Sequence, residues 1–409
     1  MKPFKTLSHI LTLGTGQGIG LIASAVFHIL AARSLGISAY GQFAFSLSFG
    51  GLLFTLSEMG LTQLIVRETS DQPDNKPDTF GSAILLRSST ALLATLLGVA
   101  ILWLFPFSFE KREVTSIVLL GFIFFALNQS FRWYFHAFQK FHYEAITNVT
   151  ISVVLLLFGL GVATKSPHLI NGFAFAFVMA QCLGLFLAIT FVVRHFPPPR
   201  FRPIQTEVKR ILSLLSPFSW MVFCSSIYAN CDMILLSLIR GDTQAGSYGV
   251  AVRLTMGFRL IPISIQQVFL PLFSKIKEDM SIFKKTFIRI LLPCCLGAGL
   301  LGFLIILTAK PLILILFGNH YENAIFPLQI LGGMIAIVLI NLVLGTVLVT
   351  LHEEKTVAKI AVVGLGINLL MNLLLIGKWG AVGAAFSILI SETLICILLT
   401  KRIRDKLWA

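Results

Sequence analysis

NCDMILLSLIRGDTQAGSYGVAVRL, residues Asn230 to Leu254, decides the fold. It runs from the end of one apolar helix, through a short polar turn (Arg240 to Gly246), into the start of another. Asp232 and Arg253 lie inside the apolar runs on either side. An uncompensated charge deep in a bilayer costs about 2.5–3.5 kcal/mol on the lenient insertion scale. Residues of this kind are paired or functional, and their matched depth predicts an Asp232–Arg253 pair.

The same stretch has an echo near the start of the chain. Arg33 to Phe45 reads RSLGISAYGQFAF, and Arg240 to Val252 reads RGDTQAGSYGVAV. Each sets a Gly-containing turn ahead of Tyr-Gly and a new apolar run. Gly41 and Gly249 are 208 residues apart, about half the chain, which suggests two homologous halves.

Outward from this stretch the chain stays apolar. Hydrophobic residues make up 56% and charged residues 12% of the 409, where soluble domains carry about 25% charged. Twelve apolar spans follow one another: 10–32, 43–65, 80–106, 114–136, 144–164, 170–193, 212–239, 247–272, 286–309, 325–351, 356–377 and 381–400. Each approaches the roughly 20 residues that cross the hydrocarbon core. The class is an all-α polytopic membrane protein. The six cysteines fall in apolar runs without the spacing of a zinc or disulfide framework. The first apolar run has no convincing small-residue cleavage site, so no cleavable signal peptide is expected. Gly14, Gly16, Gly18 and Gly20 fit overlapping G-x-x-x-G frames for close helix approach rather than a nucleotide fingerprint.

The longest polar interruption, RHFPPPRFRPIQTEVKR (Arg194 to Arg210), divides the spans six and six. Its prolines predict an extended basic linker. The expected organisation is a bundle over 1–193, a linker over 194–211 and a second bundle over 212–409. Twenty of the 32 Lys and Arg lie on the side shared by both termini and the linker, against seven on the other. Five more lie within or at the edges of spans. Positive charge is retained on the cytoplasmic side, so both termini and the linker are expected there. The net charge of +14 therefore reflects the membrane, and no nucleic-acid partner is implied. The longest outer loop, Lys310 to Asn323, has room for a short interfacial helix but not for a domain.

Depth sorts the remaining polar residues. Glu58 and Arg87 lie at matched depth in spans two and three, as Asp232 and Arg253 do in spans seven and eight. Arg259 falls mid-span, three residues before Pro262, with Glu392 as its same-depth partner or an anionic cargo in its place. His28 reads as a packing residue or a cavity group. Asn230 borders the Asp232 turn. Asn341, Asn368 and Asn372 read as interhelical hydrogen-bonding residues, with Asn368 and Asn372 on one helix face. Arg87, Arg253, Arg259 and His28 are the candidates for cargo contact. Asp232, Glu58, Glu392 and Asn230 are the candidates for ion coupling or gating. No catalytic nucleophile, acid–base pair or metal set is evident.

Several stretches together resemble a known family: ARSLGISAYGQFAFSLS (Ala32 to Ser48), EMGLTQLIVRE (Glu58 to Glu68) and CDMILLSLIRGDTQAGSYGVAVRL (Cys231 to Leu254). LFGNHYENA (Leu316 to Ala324) and KWGAVGAAFSILISE (Lys378 to Glu392) complete the set. The chain resembles polysaccharide (O-antigen type) flippases of the multidrug/oligosaccharidyl-lipid/polysaccharide exporter superfamily. The resemblance implies two pseudo-symmetric six-helix bundles around a central cavity, in the bacterial inner membrane. It implies transfer of undecaprenyl-diphosphate-linked oligosaccharides between leaflets by alternating access, driven by Na⁺ or H⁺, with no enzymatic step or bound cofactor. Asp232, Arg253 and Glu392 match the family's recurring charged positions. Partners implied are the lipid-linked cargo, the bilayer, and polysaccharide polymerase and chain-length proteins.

Three other classes compete, of which a structural membrane scaffold would leave the paired-depth charges and the half-repeat unexplained. A multidrug antiporter of the same superfamily would favour acids in the cavity, whereas the buried arginines here suit an anion. A membrane glycan polymerase or ligase would need larger outer loops. The topology is testable: reporters fused at Lys401 and at Arg200 are both expected to be active only as cytoplasmic reporters, and a periplasmic signal from either overturns the orientation.

Overall fold

Inside a bilayer every backbone amide and carbonyl must find an internal partner, so an apolar chain of this length has only helices or a closed barrel open to it. The computed structural model is helical throughout, with no strand among the described residues. It describes residues 3–71, 74, 76–201, 205–259, 269, 272–276 and 278–408, with side chains except at 3–17, 205–206, 215–218, 220–221 and 259. Gly14 and Gly16 therefore lie outside the described side chains, while Gly20 sits against Ser152 as close packing requires.

The helices are α1 (Pro3–Leu35), α2 (Ile37–Glu58), α3 (Leu61–Thr69), α4 (Pro77–Leu104), α5 (Phe109–Ala137), α6 (Phe141–Lys165) and α7 (Ile170–His195). After the linker come α8 (Gln205–Arg240), α9 (Asp242–Met256), α10 (Met280–Leu316), α11 (Ile325–Thr350) and α12 (Glu354–Trp408). Among the described residues ten helical stretches are long and apolar enough to span, and the last is two helices broken at Gly380. The eighth expected span, 247–272, falls on α9 and on residues outside the description. The loop after α10 forms a short 3₁₀ helix, Asn319–Ala324, with Tyr321 buried.

Local sequence sets the ends. Ser108 caps α5 by accepting from the Lys111 amide at 3.3 Å, and Asp279 caps α10 by accepting from Ser281 and Ile282 at 3.0 Å each. Two compact units result, Met1–Asn230 and Cys231–Ala409.

The repeat suggested by the Tyr-Gly echo extends to the backbone. Gly36, between α1 and α2, has φ 77° and ψ 172°, and Gly241, between α8 and α9, has φ 83° and ψ 174°. A second match lies at the α5–α6 and α11–α12 turns. Gln139 and His352 are left-handed, at φ 55° and 61°. The next amide then closes a six-residue loop, Lys140 onto the Phe135 carbonyl at 2.8 Å and Glu353 onto the Leu348 carbonyl at 2.9 Å. Each turn also engages the end of a following helix: Tyr143 stacks on His195 at 5.2 Å, and Arg402 forks onto Glu353 at 2.8 Å.

The linker is only partly extended. Its second half is already the start of α8, because no proline follows Pro203 until Pro217. Ile211 is buried in an aromatic core with Leu64, Phe80, Trp133, Tyr134 and Phe196. Arg210 bonds Glu68 at 2.8 Å and Glu207 at 2.9 Å, and Glu207 accepts from Thr79 at 2.8 Å. The linker end is thus a fixed part of the first unit.

Hydrogen bonds from Arg210 hold the Glu68 and Glu207 carboxyls below the ordinary carboxylate range. A depressed carboxyl stabilises above its unfolded pKa, and that stability disappears as pH falls through the folded value. In detergent, thermal stability should decline as pH drops below about 4.5. Arg210→Ala should remove part of that decline, at a cost of about 1 kcal/mol near neutrality since the pairs are partly exposed. An unchanged pH profile in Arg210→Ala refutes the clamp.

Candidate functional site

The second unit buries one carboxylate with a full set of neighbours. Asp232, on α8, is 5% exposed. Its Oδ1 accepts from Asn372 Nδ2 at 2.5 Å, and its Oδ2 accepts from the Tyr248 hydroxyl at 3.1 Å. Asn372 Nδ2 also donates to Asn368 Oδ1 at 3.1 Å, and the Cys231 thiol donates to that oxygen at 3.2 Å. Helical spacing explains the convergence: Asn368 and Asn372 are four residues apart and lie on the face of α12 that meets α8. Among the described residues, Asn372 Oδ1 has no hydrogen-bond partner, and Asn368 Nδ2 has none within ordinary hydrogen-bond distance. The cluster therefore gathers a carboxyl, two amides, a thiol and a phenol around one point. It can take up a proton on Asp232, or offer oxygens to a small cation.

This corrects the expected Asp232–Arg253 pair. Tyr248 and Asn372 reach the carboxylate first, at the same depth. Arg253 is half-buried, with Nη1 3.3 Å from Met256 Sδ. Tyr248 and Cys231 escaped the sequence reading. The Tyr40/Tyr248 echo carried the signal, because in the first unit the Tyr40 hydroxyl lies 3.4 Å from His28 Nδ1. In each unit a tyrosine early in the second helix reaches back to a polar residue of the first. His28 is otherwise enclosed by aromatic rings, Phe27 at 5.6 Å and Phe43 at 6.2 Å.

The Glu58–Arg87 pair is likewise not a direct contact. Arg87 is completely buried, 4.5 Å above the Phe54 ring, and donates to Ser57 Oγ at 3.1 Å. Its Nε and Nη2 have no hydrogen-bond partner among the described residues. Glu58 ends α2, and the left-handed pair Met59–Gly60 follows. The chain direction changes there, and the carboxylate turns to accept from the Thr62 amide of α3 at 3.3 Å. Arg87 thus supports the end of α2 from within the first unit.

Glu392 accepts from Asn341 Nδ2 at 2.8 Å, joining α12 to α11. Asn230 donates to the Ser226 carbonyl at 3.0 Å, along its own helix. Arg259 ends a 3₁₀ turn after α9; its side chain, and with it the expected Glu392 contact and the neighbouring Pro262, lies outside the described residues.

Sequence and fold comparisons agree with this organisation. Residues 7–277 match the model of the polysaccharide biosynthesis protein family. The chain belongs to that family. A Shigella dysenteriae protein named "Putative O-antigen transporter" is 26% identical over 355 residues, covering 84% of this chain and 85% of its own. A Haloferax volcanii protein named "Probable flippase AglR" is 24% identical, covering 91% and 78%. The lipid II flippase MurJ, in an inward closed conformation, superposes with a TM-score of 0.76 at 16% identity, covering 96% of this chain and 87% of that one. An inward-facing multidrug resistance MATE family transporter of the MOP superfamily gives 0.74 at 13% identity, covering 98% of each. At those identities the likeness is one of fold.

The family member's buried carboxylate supplies a direct test. Swapping the charges, with Asp232→Arg and Arg253→Asp together, is expected to do no better than the worse single variant, read as surface glycan in cells. Recovery towards wild type would restore the ion pair.

Proposed function

We propose that this protein is a flippase carrying lipid-linked oligosaccharide units across the bacterial inner membrane for surface polysaccharide synthesis. The observation that carries the reading is the family match over about two thirds of the chain. The names of the Shigella and Haloferax relatives support it. In this reading the bundles 1–193 and 212–409 exchange access around the cargo, with the 194–211 linker and both termini in the cytoplasm. The prenyl tail stays in lipid, and a diphosphate and its sugars need a polar path. Arginine matches phosphate through its planar fork, so Arg259 and Arg253 are the proposed cargo contacts. His28 and Arg87, buried within the first unit, take part only if that unit opens.

Asp232 is the proposed coupling carboxylate, taking H⁺ or Na⁺, with Asn372 and Tyr248 holding it, Asn230 beside it, and Glu58 and Glu392 as gating acids. Flipping breaks no covalent bond, so no enzymatic group is assigned. Polymerase and chain-length proteins are the proposed partners downstream. A multidrug antiporter is the alternative, favoured by the likeness of fold to the MATE transporter.

In a strain lacking its own flippase, the wild-type gene with its cognate glycan pathway should restore surface polysaccharide. Arg259→Lys keeps the charge and loses the fork; it is expected to lower restoration by about tenfold, the scale of one charge-assisted bond. Glu392→Ala should be milder. Wild-type restoration by Arg259→Lys, with Glu392→Ala failing to accumulate, would make Arg259 a structural residue. Efflux of cationic drugs without glycan restoration would favour the antiporter.

A further inference from the structure

Two stretches singled out in the sequence, the Arg240–Val252 turn and KWGAVGAA at 378–385, hold one another in the structure. Gly380 has φ 55° and ψ −128°, a region closed to side chains, and it splits α12 in two. The chain folds back there: a Cβ at Gly383 would meet the Leu375 carbonyl at 2.4 Å, and one at Gly364 would meet Ile395. Such a break leaves orphan carbonyls on one side and orphan amides on the other. The α8–α9 turn supplies both. Arg240 Nη1 donates to the Gly377 carbonyl at 3.3 Å, and Gln244 Oε1 accepts from the Ala381 amide at 3.1 Å.

Gln244 and Tyr248 are four residues apart on one face of α9. One pins the break in α12 and the other holds Asp232. Asn372 stands eight residues before Gly380, about 12 Å along the helix. We propose that Gln244 is a positioning residue for Asp232: by pinning the break, it sets the axial register at which Asn368 and Asn372 meet Asp232 and Cys231. The link to transport rests on Asp232 as the coupling carboxylate; the register itself rests on geometry alone.

Cys231 is a built-in reporter, buried with its thiol on Asn368. The experiment labels, with a membrane-permeant maleimide in native membranes, a full-length variant retaining only Cys231 of the six cysteines. Labelling is expected to be slow in this parent and in Gln244→Glu, which keeps an acceptor for the Ala381 amide. Gln244→Leu should label about tenfold faster, the scale of one lost buried hydrogen bond. Gly380→Ala attacks the same joint from the other side, since its Cβ would meet Gln244 Oε1 at 2.6 Å. It should give the same rise, without adding to Gln244→Leu, and it decides the matter if Gln244→Leu does not accumulate. Parental labelling in Gln244→Leu overturns the inference, as does an equal rise in Gln244→Glu. Asp232→Asn is scored separately by glycan restoration: normal restoration sinks the coupling role and leaves the register result standing.

Discussion

A carboxylate inside an apolar bundle must be supplied with donors or give up its charge, and the second unit is organised around that constraint. Burial disfavours the charge and donors on both oxygens favour it, so the two effects oppose one another at this side chain. Asp232 draws one donor from α9 and one from α12, so three helices are committed to a single depth by one side chain. The arrangement is not saturated, because among the described residues Asn372 Oδ1 keeps no hydrogen-bond partner. A group in that condition can change its proton or ion without dismantling its surroundings. An ion pair with Arg253 would have fixed the charge permanently.

The first unit answers the same constraint differently. Its equivalent tyrosine meets a histidine enclosed by phenylalanine rings, and its one fully buried arginine rests on a ring face and a serine. Cation–π contact and a single hydrogen bond offset part of the desolvation cost of a guanidinium. Structural support at the end of α2 is what these contacts produce. The first unit also buries a carboxylate, Glu144, but there Arg132 and His136 pair with it directly.

Much of this was legible in the sequence. Span lengths follow from hydropathy because bilayer thickness is a fixed ruler, and the half-repeat was visible in two tyrosine–glycine turns. Asn368 and Asn372 announced themselves by spacing alone. Pair partners were not legible, because depth along a helix axis says nothing about rotation around it. Asp232 and Glu58 each met a nearer donor on a neighbouring face. The linker misled for a related reason: four prolines and a basic run suggest an extended chain, whereas Ile211 and Arg210 dock its far end through contacts that are distant in sequence. The break at Gly380 was quoted as a motif, but that its cap would come from Gln244, 136 residues earlier, is tertiary information.

The matched turns carry a historical consequence. Two halves with the same backbone at Gly36 and Gly241, and the same closure at Gln139 and His352, are what duplication of a six-span ancestor leaves behind. An ancestor of half the length could have worked as a pair of identical chains. Identical chains must carry the same residue at both tyrosine-facing positions. Only after the copies were fused into one gene could the two tyrosines take different partners, Tyr40 facing His28 twelve residues back and Tyr248 facing Asp232 sixteen residues back, dividing labour between halves that had been bound to evolve in step.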